Sequence, residues 1–406
     1  MKRNIALVAA CPFPSPQGSQ VFVGQMAERL AAAGHRVHLL TYGQGDDTTG
    51  RGYSHHRTPR VPGDDSRRSG PNLAKPLLDG LLAARLIGVV RRHGIDVIHA
   101  HNYEAAVAGL VARAVTGVPV VYHSHNLMGD ELETYFHGGI PRRLASALGR
   151  LLDRTIPRSA DRTIALCEWS AAQLVKCGTP ARSISVIPPA VHDDGGDQAS
   201  AVDRAAFGLA EDDFVVGYCG NLDAYQNLPL LLEAMRLFAS GMPGRQSARE
   251  PAQQPVRLLI ATHSVPRSFA AIAEASALGD VLKIHVIRSH DETRRAMAAS
   301  DILTLPRRLG SGYPVKLLNY MSAARATVSA GCGSKILRSG VDGIVVADDD
   351  AAAMARAFDR CRRDPGERRA LGDAARRTFL ERLTWDSVLP QIEAVYEGLR
   401  EPVGPR

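Results

Sequence analysis

The sequence predicts an α/β chain built from two successive, doubly wound parallel sheets. Three observations carry that expectation. Short apolar runs alternate with helically spaced apolar residues along the whole chain, as parallel strands and their crossover helices require. The alternation stops at the Asp/Gly/Ser-rich stretch 193–201 and then starts again. A chain of 406 residues is also too long for one hydrophobic core. The expected division is a first domain over 1–192, a second over 193–384, and a closing helix over 385–406 that packs back on the first.

In the first half, Ile5–Ala9 reads as a buried strand. The turn Pro12–Gly18 leads into a helix over Val21–Ala33, closed by Gly34. His35–Thr41 is the next strand, which completes one βαβ unit. The polar stretch 46–76 reads as a surface loop. A helix over Leu77–His93 is followed by a strand at Val97–His101, a helix at Ala105–Val115 and a strand at Val118–His123. An amphipathic helix is expected over Leu144–Ile156, then a strand at Arg162–Leu166, a helix at Ser170–Lys176 and a strand at Ile184–Ile187. After the break, strands are expected at Phe214–Cys219, Val256–Ala261, Leu282–Val286, Ile302–Leu305, Thr327–Ser329 and Ile344–Val346. Leu228–Phe238 is the first helix of that half, and the Pro/Gln/Arg stretch 241–255 reads as a loop. Ligands of such sheets sit outside the carboxyl ends of the strands, so two such domains are expected to hold theirs in the cleft between them.

Composition narrows the functional classes. The net charge of +7 suits anionic partners such as nucleotide diphosphates or a bilayer surface. No nucleic-acid-binding signature accompanies it, so nucleic acid is not an expected partner. The six cysteines are widely spaced without a C-x-x-C, the pattern of reduced thiols in a cytoplasmic protein. The apolar run Ile5–Ala10 is shorter than the roughly 7–15 residues of a secretory signal core, and no run reaches the roughly 18–20 residues of a membrane span.

Five segments can carry chemistry. Gly18 and Ser19 open a helix directly after the first strand, where free backbone N–H groups can meet an anion. In the run 310–321, Ser311, Gly312 and Tyr313 precede a helix that begins near Pro314, with Lys316 in its first turn. A cation there opposes the helix dipole by a few tenths to about 1 kcal/mol, and a bound anion reverses that penalty. Asn319 lies one turn on, on the same face, suited to sugar or ribose hydroxyls. Gly220, Asn221 and Gln226 follow the first strand of the second domain, in the place that Gly18 takes in the first. The pairs His99/His101 and His123/His125 stand at strand ends, each on one face of its strand. With no carboxylate at ligand spacing, they read as polar closure or substrate contact, and no metal is expected. Arg142, Arg143, Arg150, Arg154, Arg158 and Arg162 flank the stripe Leu144, Leu148, Leu151, Leu152, Ile156. That helix can lie on an anionic membrane or pack its stripe on its own sheet.

Taken in order, these segments resemble glycosyltransferase family 4, whose GT-B fold consists of two facing Rossmann-like domains. PSPQGSQVFVGQMAERLAAAGHRVHLLT resembles the family's glycine-rich loop and first helix, DVIHAHN and PVVYHSHNL its next strands. The run from ASDILTLP to SGVDGIVV resembles its donor region, and TWDSV its closing helix. The resemblance implies a metal-independent transfer of sugar from a UDP- or GDP-sugar to a hydroxyl acceptor, with retention, in glycan, glycolipid or metabolite biosynthesis. It makes His125 and Lys316 the catalytic candidates. Gly18, Ser19, Gly220, Asn221, Gln226, Ser311, Gly312, Tyr313 and Asn319 are donor contacts in this reading, and His101, Asn102, Asn126 and Glu131 acceptor or sugar contacts. The chain departs from the family where two glutamates are usual, at Ser311 and Asn319, and where an Arg and a Lys are usual, at Asn221 and Gln226. Those departures keep two rivals open: a GT-B protein that binds without transfer, and a GT-B epimerase or phosphorylase.

Overall fold

A computed structural model describes residues 2–14, 18–45, 48, 50–61, 74–135, 139–193, 203–241, 254–308 and 312–400. The chain divides into two compact units. The first comprises Met1–Val191, Ser311–Tyr313 and Trp385–Arg406, and the second His192–Gly310 and Pro314–Thr384.

The first unit carries β1 (Asn4–Ala9), α1 (Gly18–Ala32), β2 (Arg36–Thr41), β3 (Ser54–Arg57), α2 (Lys75–His93), β4 (Val97–His101) and α3 (Asn102–Thr116). It continues with β5 (Val120–Ser124), α4 (Met128–Glu131), α5 (Gly139–Ser159), β6 (Arg162–Ala165), α6 (Glu168–Lys176) and β7 (Ile184–Val186). Its seven strands are all parallel, in the order β3-β2-β1-β4-β5-β6-β7. The sequence reading missed β3, which falls inside the stretch expected to be loop. Ser-His-His-Arg has no apolar residue, and this edge strand is held by parallel pairing with β2 at His38↔Ser54 to Thr41↔Arg57. The expected loop residues 62–73 and the boundary 194–202 lie outside the described residues.

The second unit carries β8 (Phe214–Cys219), α7 (Leu228–Ala239), β9 (Val256–Thr262), α8 (Arg267–Ala275), β10 (Leu282–Val286), α9 (His290–Ala299) and β11 (Ile302–Leu305). Then come α10 (Val315–Ser322), β12 (Ala326–Ala330), α11 (Gly331–Ser334), β13 (Ile344–Val346), α12 (Ala351–Arg363) and α13 (Pro365–Arg382). Its six strands are again all parallel, in the order β10-β9-β8-β11-β12-β13. The last helix, α14 (Trp385–Glu397), belongs to the first unit.

Alternation along each strand fixes which side chains reach which layer. On β1, Ala6 and Val8 pack with α2 and α3, whereas Ile5, Leu7 and Ala9 pack with α1 and α14. On β4, Ile98 and Ala100 take the α2/α3 side. His99 and His101 are therefore turned to the α1/α14 side, under Phe22 and Tyr396. Trp385, Val388, Ile392 and Tyr396 seal that layer and are all buried. Each such side chain contributes roughly 1.5–3 kcal/mol by leaving water. In both sheets the strand order reverses beside the first strand, at β1/β4 and at β8/β11. The carboxyl ends there are where doubly wound folds place ligands.

Candidate functional site

In the second unit, β8 ends at Cys219 and passes into Gly220, whose φ is +149°. A Cβ at Gly220 would lie 2.5 Å from the ammonium nitrogen of Lys316. The backbone conformation favours glycine there, and any Cβ would push the flexible end of Lys316 aside. Lys316, in the first turn of α10, donates to the Tyr218 hydroxyl at 2.7 Å, and its nitrogen stands 4.5 Å from the centre of that ring. Tyr218 in turn donates to the Asn221 carbonyl at 2.6 Å. Tyr320 fixes α10 against β8: its hydroxyl accepts from the Cys219 N–H at 2.9 Å and donates to the Cys219 carbonyl at 3.1 Å.

Burial of the Lys316 ammonium, reinforced by the Arg307 guanidinium, brings its pKa down to about 7. Arg307 follows β11, is itself buried and stacks over the Tyr225 ring at 5.2 Å. The sequence reading passed over Arg307. Its position two residues beyond a strand's carboxyl end was the available signal.

Asn221 and Gln226, expected to contact a donor, are turned toward each other. Gln226 Nε2 donates to Asn221 Oδ1 at 2.7 Å, and Asn221 Nδ2 donates to the Tyr225 hydroxyl at 3.1 Å and to the Asp223 carboxylate. Gln226 is buried and its Oε1 has no hydrogen-bond partner. Asn319 is half-buried on α10. Pro314 caps that helix rather than occupying its first position. Gly312 and Tyr313 precede it, and Ser311 lies outside the described residues.

In the first unit, the two expected histidine pairs merge into one cluster, because His101 pairs directly with His123 across β4 and β5. His99 stacks on His101 with ring centres 4.7 Å apart. His99 Nε2 and His123 Nδ1 are 3.0 Å apart, and His101 Nδ1 and His125 Nε2 are 2.9 Å apart. The Tyr396 hydroxyl meets His99 Nδ1 at 2.6 Å. The Nε2 atoms of His101 and His123 are buried without a hydrogen-bond partner. The Phe22 ring covers His101, His123 and His125 edge-on and stacks on Trp385. Burial drives these imidazoles toward the neutral form, His99 to about 3 and His125 to about 4, and His101 and His123 well down, with their imidazole neighbours adding to it.

Around this cluster, Asn102 opens α3 with φ +66°. Asn126 Nδ2 donates to Glu131 at 2.9 Å, and the Tyr135 hydroxyl donates to the same carboxylate at 3.0 Å. The buried Asp153 carboxylate accepts from the backbone N–H groups of Met128 and Gly129 at 2.9 and 2.8 Å and so anchors the start of α4. Gly18 and Ser19 begin α1. Among the described residues, two groups of three histidines hold their ring nitrogens within 4.8 Å of one another: His99, His101 and His123, and His38, His56 and His93. The sequence reading weighed a metal at the pairs that contain the first group and set it aside; it did not single out the second.

Two family models match this chain in succession. The first is Glycosyltransferase Family 4, over residues 16–194, and the second is Glycosyl transferases group 1, over residues 213–364. The chain belongs to the GT-B glycosyltransferases. Relatives of this glycosyltransferase include proteins named D-inositol 3-phosphate glycosyltransferase. That of Salinispora arenicola is 25% identical and spans 96% of this chain and 89% of its own; that of Geodermatophilus obscurus is 27% identical and spans 95% and 85%. Among solved structures, sucrose-phosphate synthase from Thermosynechococcus elongatus superposes with a TM-score of 0.81 at 19% identity, covering 98% of this chain and 99% of its own. Anabaena HepE, solved with UDP and glucose, gives 0.74 at 17% identity, covering 98% and 100%. The fold expected of the sequence, two doubly wound GT-B domains, is the fold observed.

Proposed function

We propose that this glycosyltransferase moves a sugar from a nucleotide diphosphate sugar to a hydroxyl acceptor, with retention and without a catalytic metal. The observation that carries the donor assignment is the cation at the carboxyl end of the second sheet. Lys316 rests against Gly220 with Arg307 close by, two positive groups where doubly wound sheets receive phosphates. Anabaena HepE, solved with UDP and with UDP-glucose, supports the same donor class.

In this reading Lys316, Arg307 and the start of α10 bind the diphosphate, and we assign the backbone N–H groups at Gly18 and Ser19, at the start of α1, as further donor contacts. An arriving diphosphate returns Lys316 to its charged form. The charge then opposes the negative charge that builds on the leaving diphosphate. Asn319, Gly312, Tyr313 and Ser311 complete the donor site. Asn221 and Gln226 act from behind it, by fixing the loop that carries Gly220. The neutral His125 orients the transferred sugar or the acceptor hydroxyl, and the acceptor proton passes to the leaving phosphate. His101, Asn102, Asn126 and Glu131 form the acceptor side. The test is a product assay with UDP- and GDP-sugars against inositol phosphates and lipid-linked sugars. Formation of a glycoside with inverted configuration, or binding without product, would overturn the reading, and the latter is the outcome expected of a protein that only binds.

We further propose a peripheral contact with an anionic membrane through α5. α5 buries Ala145, Ser146, Gly149 and Asp153, and near its end Ile156 and Pro157, with Leu152 packed against the same core, so the lower part of the stripe faces the sheet. Ile140, Leu144, Leu148 and Leu151 are each more than half exposed, among arginines. On our reading this exposed apolar face among arginines is the one that would meet an anionic bilayer. No helix among the described residues is long and apolar enough to cross a membrane. The reading places the enzyme at the cytoplasmic face of a membrane. Co-sedimentation with anionic vesicles, lost in Leu144→Glu/Leu148→Glu, tests it; equal sedimentation of both proteins would refute it.

A further inference from the structure

A second histidine cluster stands in the first unit apart from the candidate site, where β2, the edge strand β3 and the end of α2 meet. His38 is the third residue of β2 and His56 the third of β3. Their register, with Leu40 facing His56, turns both to the side covered by α2. α2 runs back against the strands, and its last residue, His93, arrives beside them. His38 Nδ1 and His56 Nε2 are 3.0 Å apart, and the His38 ring lies 4.4 Å from that of His93. All three offer a ring nitrogen within 4.8 Å of the others.

The geometry points to a transition-metal site formed by His38, His56 and His93, of the kind that takes Zn²⁺ or Co²⁺ with water as a fourth ligand. Three imidazole nitrogens on a tetrahedral ion, with bonds of about 2.0–2.1 Å, stand roughly 3.4 Å apart. The observed cluster reaches that spacing by rotation of half-exposed rings. His38 is buried, while His56 and His93 keep part of their surface in solvent, which gives an ion a way in. The negative end of the α2 dipole favours a cation at this point. Asn4 Nδ2 donates to the carbonyls of His93 and Gly94 and steadies the helix end that carries one ligand. The buried trio His99, His101 and His123 is a poorer host. All three rings are sealed from solvent, and His99 already uses both nitrogens, on Tyr396 and His123.

Bound there, an ion would join the edge strand β3 to β2 and to the end of α2, a structural role separate from sugar transfer. The test is titration of the tag-free, chelator-treated full chain with Co²⁺, read by visible absorption and by melting temperature. One tetrahedral Co²⁺ per chain, displaced by Zn²⁺ and accompanied by a higher melting temperature, is expected. His56→Gln and His93→Gln, both at partly exposed positions, should each weaken uptake by roughly tenfold or more. His101→Gln should leave it unchanged. No uptake by the native chain would overturn the assignment. So would uptake that survives the His56→Gln/His93→Gln double variant, or uptake lost in His101→Gln.

Discussion

The two carboxyl-end clusters solve opposite electrostatic problems. In the first unit, four histidines are packed beneath Phe22 and Tyr396 and kept neutral by burial. In the second, one lysine is held at a pKa of about 7, on the edge between its two forms. A neutral imidazole serves to hold and orient hydroxyl groups over a wide pH range. A lysine poised near neutrality responds to whatever anion arrives. On the proposed reading, the first cluster supplies acceptor geometry and the second donor charge.

The strongest way to break that division is Lys316→Met. Loss of the charge facing a leaving diphosphate should lower kcat by roughly 10²–10³-fold, measured in the nucleotide-sugar assay. Gly220→Ala should follow at about 10²-fold, since a Cβ there displaces the ammonium and strains a backbone at φ +149°. His125→Asn should cost about tenfold to a hundredfold in kcat while leaving the pH dependence of the rate unmoved, because His125 is already neutral at the working pH.

The lysine also sets a signature in stability. Its pKa falls from 10.5 to about 7 on folding, so between those values the unfolded chain binds more protons than the native one. Native stability should therefore rise with pH across about 7 to 10.5, and Lys316→Met should flatten that rise in urea titrations. The smallest expected effect is Tyr320→Phe. It leaves the Cys219 N–H buried without its acceptor and should lower stability by about 1–3 kcal/mol by denaturant titration, while moving α10 only slightly.

The parallel strands were legible in the sequence wherever apolar runs marked them, as at Ile5–Ala9 and Phe214–Cys219. β3 was not, because an edge strand of Ser, His and Arg is held by backbone pairing and writes no apolar pattern. Gly220 and Lys316 could be singled out separately, by glycine after a strand and by a cation at a helix start. Their contact could not, since it joins residues 96 positions apart through the close approach of two chain segments. The histidine pairs were visible as pairs, but their merger depends on the β4/β5 register. On α5 the residue pattern left two orientations open, and only packing against α4, through Gly149 and Asp153, decides which face is turned out.

The most direct test of the donor assignment is isothermal titration of UDP and GDP into the native chain and into Lys316→Met, at pH 6 and pH 8.5. The account predicts that one nucleotide binds the native chain, more weakly at the higher pH, and that the variant binds it roughly tenfold to a hundredfold less tightly at pH 6 with no pH dependence. Equal affinities for native and variant chains at both pH values would contradict it.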